Sequence, residues 1–325
     1  MSIALTGTAK IRDTALRAAL VLTILGLASE RAAAQAIGLA VMQPGSLNHT
    51  TGTAIAKVVK EKAGVNALVQ PTAGESVLIP LVARGEAELG LANALEVTTV
   101  AEATRLPDLR LIGVIHPLPT ALFARKASTM RTIADLKGKK LVWGFSAQRV
   151  VDRVLRAILA TDGLTERDVT PVLVPNVIRG ADDFVANAVD VFYFAFGAPK
   201  VREVDVTVGG IRALEIQESR MDAARKIYAD GYLAPAAPGP FYIGVEKPMG
   251  VYTWDNLLIT NAKVKDEVVY KIIEAMVKHK DDLVAVQPAL RAFTPAGLYK
   301  KHDVAYHPGA LKYFADNKIE MKTAP

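Results

Sequence analysis

Four short segments carry the side chains in this chain that could do chemistry: Gly45–Gly52 (GSLNHTTG), Thr72–Ser76 (TAGES), Asn93-Ala94 and Phe145–Arg149 (FSAQR). Each joins small residues, which let backbone approach a solute closely, to hydroxyl, amide or guanidinium donors. Such donors suit a small anion held by hydrogen bonds, and the segments are poor in the general acids and bases that turnover needs. Taken singly, Ser46, Thr72 and Ser146 are as well explained as helix caps, whose hydroxyls satisfy the first free N–H groups. Arg149 is a different case. A guanidinium near a helix start opposes the helix dipole, so it is expected either to meet an anionic ligand or to lie in solvent beside Asp152 or Glu166. Further along, Tyr193, Phe194 and Phe196 lead into Gly197. Alternation along a strand would let Tyr193 or Phe196 wall a crevice while Phe194 fills the core.

Other chemistries lack their residues. The 325-residue chain has no cysteine, which removes thiolate nucleophiles, cysteine zinc sites and iron–sulfur clusters. His49, His116, His279 and His302 stand apart, without metal-site spacing, and His307 sits in a His-Pro-Gly turn that reads as structural. Asp182-Asp183 and Asp281-Asp282 lack calcium-loop spacing. No Gly-x-Ser-x-Gly elbow, phosphate loop or dinucleotide-binding glycine pattern occurs. No catalytic residue, metal or cofactor is therefore expected, and the chain does not read as an enzyme. A formal charge of +6, scattered and not interleaved with aromatics, argues against a nucleic-acid partner.

The elements that must position these loops alternate strand and helix. Residues 1–36 read as an export signal: Lys10, Arg12 and Arg17, then the short apolar run Ala18–Ala28, then small residues that place cleavage after Ala34 or Ala36. The alternative is an uncleaved anchor or an apolar first helix. Export implies a periplasmic protein. Beyond the signal, expected strands at Ile37–Met42, Ala67–Gln70 and Glu88–Ala92 alternate with helices, the pattern of an α/β fold on mostly parallel sheets. Leu109–Ile115 is a further strand, after which Pro117 and Pro119 are expected to interrupt pairing and to mark a crossing between lobes. A second series follows: Leu141–Gly144, Val150–Thr161, Pro171–Val174, Ala181–Ala188, Val189–Phe194 and a helix from Ala198. The stiff stretch Leu233–Pro240 is expected to carry the chain back to the first lobe, where the Leu257–Thr260 strand and the Val264–Lys280 helix would follow. The expected division is residues 37–120 for the first part of lobe I, 121–236 for lobe II, and 237–325 for the return to lobe I with the C-terminal helices. Hinges are expected near Pro117–Ala124 and Leu233–Phe241.

Several blocks in order carry a family resemblance: Gln70–Ser76 (QPTAGES), Ala83–Asn93 (ARGEAELGLAN), Ile133–Lys139 (IADLKGK), Asp190–Pro199 (DVFYFAFGAP) and His307–Phe314 (HPGALKYF). Through them the chain resembles the TAXI-type solute-binding proteins of tripartite ATP-independent periplasmic (TRAP) transporters. The resemblance implies a type II periplasmic binding protein, with two α/β lobes joined by a hinge and a ligand cleft between them. It also implies a small organic acid as ligand, such as glutamate, 2-oxoglutarate or a related carboxylate, and TRAP permease subunits in the membrane as partners. Carried over by position, the ligand-facing residues would be Ser46, Asn48, Thr51, Thr72, Ser76, Asn93, Ser146, Arg149, Tyr193, Phe196 and Gly197. Phe145 and Arg149 stand where the family carries a glycine-rich turn, which points to an acid with an apolar portion. Two other roles remain open to such a chain: presenting its solute to a membrane sensor kinase, or an enzyme on the same bilobal fold.

Overall fold

Short apolar runs become parallel strands here because helices cover them on both faces. A computed structural model describes residues 36–323, so the expected export segment, apart from Ala36, lies outside the described residues. The first unit runs β1 (Ile37–Val41), α1 (Leu47–Ala63), β2 (Ala67–Pro71), α2 (Glu75–Arg84), β3 (Leu89–Asn93) and α3 (Ala94–Thr104). Caps fix these helix ends: Ser46 Oγ accepts from the His49 N–H, Asn93 Oδ1 accepts from the Glu96 N–H, and Gly64 and Gly85 close α1 and α2 in left-handed conformation. The second unit runs β4 (Leu109–Arg125), β5 (Lys140–Trp143), α4 (Val151–Ala160), β6 (Thr170–Leu173), α5 (Val177–Val185), β7 (Val191–Ala195), α6 (Pro199–Thr207), β8 (Ile211–Ala213), α7 (Met221–Arg225), β9 (Tyr232–Ala236) and β10 (Met249–Asn261). Helices α8 (Asp266–Lys278), α9 (Lys280–Val286), α10 (Pro295–Leu298) and α11 (Pro308–Asp316) follow.

The ten strands among the described residues belong to one hydrogen-bonded sheet in the order β2-β1-β3-β10-β4-β7-β5-β6, with β8 against β4 and β9 against β10. β1 pairs in parallel with β2 and β3, and β5 with β6 and β7, so each end of the sheet is a parallel α/β layer. The long antiparallel pair β4 and β10 runs between those ends. Two separate apolar cores result. One gathers β1, β3, the first half of β4 and the C-terminal helices around Leu39, Val58, Leu91, Ile112, Ile272 and Phe314. The other gathers the second half of β4 and β5–β7 around Phe123, Val142, Leu155, Phe184, Phe192 and Trp254. The fold is thus α/β with two lobes on a shared pair of strands.

Three expectations change in the structure. β4 runs unbroken through Pro117 and Pro119, which pair with Asp255 and Thr253 of β10. The Pro119 carbonyl accepts from the Phe196 N–H at 2.9 Å, so the side of Pro119 that lacks an N–H faces β7 and the ladder to β10 loses nothing. Leu233–Pro240 begins as strand β9, and the second core continues through Val245 and Tyr252 to Trp254; the chain crosses back inside β10, where the register shifts at Asn256/Leu257 and Leu258/Ile259. Helix α5 starts at Val177 because Asn176 Oδ1 accepts from the Arg179 N–H at 3.0 Å, four residues before the expected start.

Candidate functional site

The carboxyl ends of the parallel strands of both lobes face one another across a closed cleft, the position where sheets of this kind bind ligands. Between them lies a cavity of about 40 Å³, room for roughly three water-sized groups. Its first-lobe wall is Met42, Ser46, Leu47, Asn48, Glu75 and Asn93. Its second-lobe wall is largely apolar, with Val150, Val151, Val154, Val177, Phe194 and Trp254, relieved by Thr120, Gln148 and Tyr193.

Glu75 organises the polar wall. As the first residue of α2 it stands at the positive end of that helix, which favours a carboxylate there. Its Oε1 accepts from Asn48 Nδ2 and from the Asn93 backbone N–H, both at 2.9 Å, and its Oε2 accepts from Asn93 Nδ2 at 2.6 Å. It is 2% exposed. Burial, reinforced by the nearby Glu96 carboxylate, pushes its pKa up to about 7 against the opposing hydrogen bonds from Asn93 and Gln148. Glu96, in the first turn of α3 and fully buried, accepts from Ser76 Oγ and from the Val150 N–H, and burial raises its pKa as well.

A chain of side chains links this wall to the strands shared by the lobes. Asn256 Nδ2 donates to Asn48 Oδ1 at 2.9 Å and lies 3.3 Å from His116 Nε2, while His116 Nδ1 lies 2.7 Å from the Pro117 carbonyl. Complete burial lowers the His116 pKa to about 4, so the ring is neutral: Nδ1–H donates to Pro117 and Nε2 accepts from Asn256.

The two lobes are latched by direct contacts beside the cavity. Ser76 N–H donates to the Ala147 carbonyl at 3.2 Å, Arg149 N–H to Ser76 Oγ at 3.0 Å, Asn176 Nδ2 to the Ala73 carbonyl at 3.2 Å and Lys200 N–H to the Gly45 carbonyl at 3.1 Å. Gly74 makes this approach possible: a Cβ there would lie 2.2 Å from the Ala147 carbonyl oxygen.

Of the residues singled out from sequence, Ser46, Asn48, Asn93 and Tyr193 line the cavity. Thr51 is buried behind it, 3.4 Å from His116, and Thr72 donates to the Val41 carbonyl at 2.9 Å. Ser76 joins the latch through both its N–H and its hydroxyl. Ser146 and Arg149 are exposed; the Arg149 N–H donates to Ser76 Oγ of the first lobe, and its positive charge acts on Glu96. Phe196 is fully buried against Phe123 and Tyr242, and Phe194, buried in the core as expected, also borders the cavity. Gly197 adopts φ +74, and a Cβ there would meet the Phe241 ring at 2.2 Å, so its role is conformational. Sequence reasoning passed over Glu75, Thr120, Gln148 and Trp254. A signal for Glu75 was present, since an acid directly after Gly74 at a helix start is placed to face the crevice.

Lobes built on crossing strands around a cleft are the architecture of type II periplasmic binding proteins. The chain belongs to the NMT1-like family, whose profile matches residues 43–317. Three solved structures illustrate the fold. A periplasmic transporter protein shares 14% identity over 87% of this chain and 92% of its own, with a TM-score of 0.58. A protein from Bordetella bronchiseptica RB50 shares 15% over 87% and 98%, with a TM-score of 0.51. The alkanesulfonate-binding protein SsuA from Xanthomonas axonopodis pv. citri, bound to MOPS, shares 15% over 89% and 98%, with a TM-score of 0.50.

These findings correct the family expectation. The family shown is the NMT1-like one, so the TAXI assignment, with its TRAP partners and its carboxylate ligand, is withdrawn. Two first-lobe helix N-termini at the site, those of α2 and α3, already hold acids of the chain, Glu75 and Glu96.

Proposed function

We propose that this protein is a periplasmic solute-binding protein that captures one small molecule between its lobes and hands it to a membrane transporter. The observation that carries the reading is the cavity, closed by residues of both lobes at the carboxyl ends of β1, β3 and β7 and beside the helix starts at Glu75, Val151 and Val177. The lobes divide near His116 and Asn256, where β4 and β10 cross and the register slips. Ser46, Asn48, Glu75 and Asn93 on one side, and Thr120, Gln148, Tyr193 and Trp254 on the other, are the ligand-facing residues. Ligand contacts made from both lobes favour the shut form by population shift. No helix among the described residues is long and apolar enough to cross a membrane, in keeping with a binding subunit separate from its transporter. The cavity wall offers a carboxyl and neutral donors but no nucleophile–base pair, which favours capture over turnover.

Native mass spectrometry of freshly purified protein, followed by small-angle scattering with the released solute, tests the reading. The expected outcome is one retained small molecule and a smaller radius of gyration on adding it back. Chemical conversion of that molecule by the protein would end the proposal.

A further inference from the structure

The cavity carries a charge that the chain itself leaves unanswered. Four other buried charged side chains among the described residues meet an opposite charge in contact: Asp255 has Lys300 at 2.7 Å, Arg212 has Glu246 at 2.8 Å, Lys200 has Asp182 and Glu203 at 2.6 Å, and Asp183 has Arg179 at 2.8 Å; Glu96, buried off the cavity wall, takes hydrogen bonds from Ser76 Oγ and the Val150 N–H and feels the opposite charge of Arg149. Glu75 has no such opposite charge. Every group that donates to it is a neutral amide: Asn48, the backbone and side chain of Asn93, and Gln148. Glu75 is also the one carboxylate on the cavity wall, and that wall holds no lysine, arginine or histidine. Two buried acids thus separate into different settings. Asp255 is held below the usual carboxylate range, its burial outweighed by His302 and Lys300, whereas Glu75 is pushed above it.

A buried carboxylate without a cation is costly, and a cation arriving with a ligand relieves that cost. A second group on the same wall also waits for a partner. The indole N–H of Trp254, a residue 3% exposed, has no acceptor in the protein. Beside Thr120, Gln148 and Tyr193, the second-lobe wall presents the hydrocarbon of Val150, Val151, Val154, Val177 and Phe194.

We propose, resting on the solute-binding reading, that the cleft selects a small organic cation, an ammonium or amidinium on a short apolar body, with Glu75 as its counter-ion and specificity determinant. An acceptor atom on the ligand would complete Trp254. A carboxylate or sulfonate in the same place would face Glu75 with like charge.

The pH dependence follows from the groups around Glu75. From α3, Glu96 carries the same sign and strengthens the upward shift; from β7, Tyr193 stays neutral, its pKa driven up by burial. His116, reached through Asn48 and Asn256, is neutral, and the exposed Arg149 partly offsets the burial of Glu96 with its opposite charge. A cation needs ionised Glu75, so its affinity should rise as pH climbs toward about 7 and then level off. An anion should show the opposite trend.

Thermal shift and calorimetry on the protein at pH 5.5 and 8.0 test this with methylammonium and acetamidinium, the acids acetate, propionate and methanesulfonate, and the neutral methanol and acetamide. Support would be binding of a cation at pH 8.0, at least tenfold weaker at pH 5.5, and at least tenfold weaker in Glu75→Gln, which keeps the shape of the side chain. Binding confined to the acids or the neutral compounds, or a cation affinity untouched by Glu75→Gln, would overturn the cation assignment while leaving solute capture standing. No stabilisation by any of the seven, with no solute retained from the cell, would overturn both.

Discussion

The two walls of the cavity are built on opposite principles. The first-lobe wall is a hydrogen-bonded polar network, Asn256 to Asn48 to Glu75 to Asn93, fixed by helix caps and tied back to His116. The second-lobe wall is an apolar surface continuous with the core around Phe192 and Leu155, with few polar atoms. A network of this kind specifies one arrangement and carries a charge, whereas an apolar wall contributes area without direction. Recognition should therefore depend on the first lobe for selectivity and on the second for affinity and closure.

The most disruptive test is Gly74→Val. With a Cβ 2.2 Å from the Ala147 carbonyl the lobes cannot shut, so compaction on ligand addition should vanish in scattering and affinity should fall by on the order of a hundredfold, about 2.7 kcal/mol, while each lobe keeps its helical signal. Phe194→Ala attacks the apolar wall. The side chain is 1% exposed, so its loss should cost roughly 3–5 kcal/mol in urea unfolding, with the preference between charged ligands unchanged.

Glu75 makes a stability prediction with a definite sign. Its pKa is about 7 folded against 4.5 for the free side chain, so the folded state binds the proton more tightly. The penalty is absent below the unfolded value, grows as pH rises from about 4.5 to 7, and is complete above that, at about 3 kcal/mol. Glu75→Gln should accordingly gain stability relative to the parent at pH 8 and lose that advantage near pH 4, read as the difference between the two unfolding curves. Asn48→Ala removes one donor to Glu75 and the acceptor for Asn256, at a cost of about 1–3 kcal/mol, and should raise the Glu75 pKa further. Arg149→Ala should do least. Its side chain is exposed and its contribution to the latch is a backbone N–H, so stability should stay within about 0.5 kcal/mol.

Two of the helix starts that suggested an anion site on sequence grounds carry carboxylates of the chain itself. Serines, threonines and amides at helix starts do suggest anion binding, and the helix ends do converge on the cleft. The anions they hold are the chain's own, Glu75 on α2 and Glu96 on α3, each in the first turn of its helix. Arg149, the cation that was to meet an acidic ligand, is exposed and stands off the cavity wall, where its charge acts on Glu96. The aromatic run shows the same limit. Tyr193 lines the cavity and Phe194 fills the core, as alternation along β7 suggests, but Phe194 borders the cavity as well and Phe196, just beyond the strand, is fully buried away from it.

Local sequence alone was enough for the alternation of strands and helices, the capping role of Ser46, and an α/β architecture, because each follows from the periodicity, propensity and end chemistry of neighbouring residues. Tertiary structure decided where the chain crosses between lobes, the passage of β4 through two prolines, and the character of the binding cavity. Those depend on which residues far apart in the chain are brought together: Asn48, Glu75, Asn93 and Asn256 meet only when the sheet is complete, and the charge of Glu75 gains its meaning from the absence of any cation around it in space.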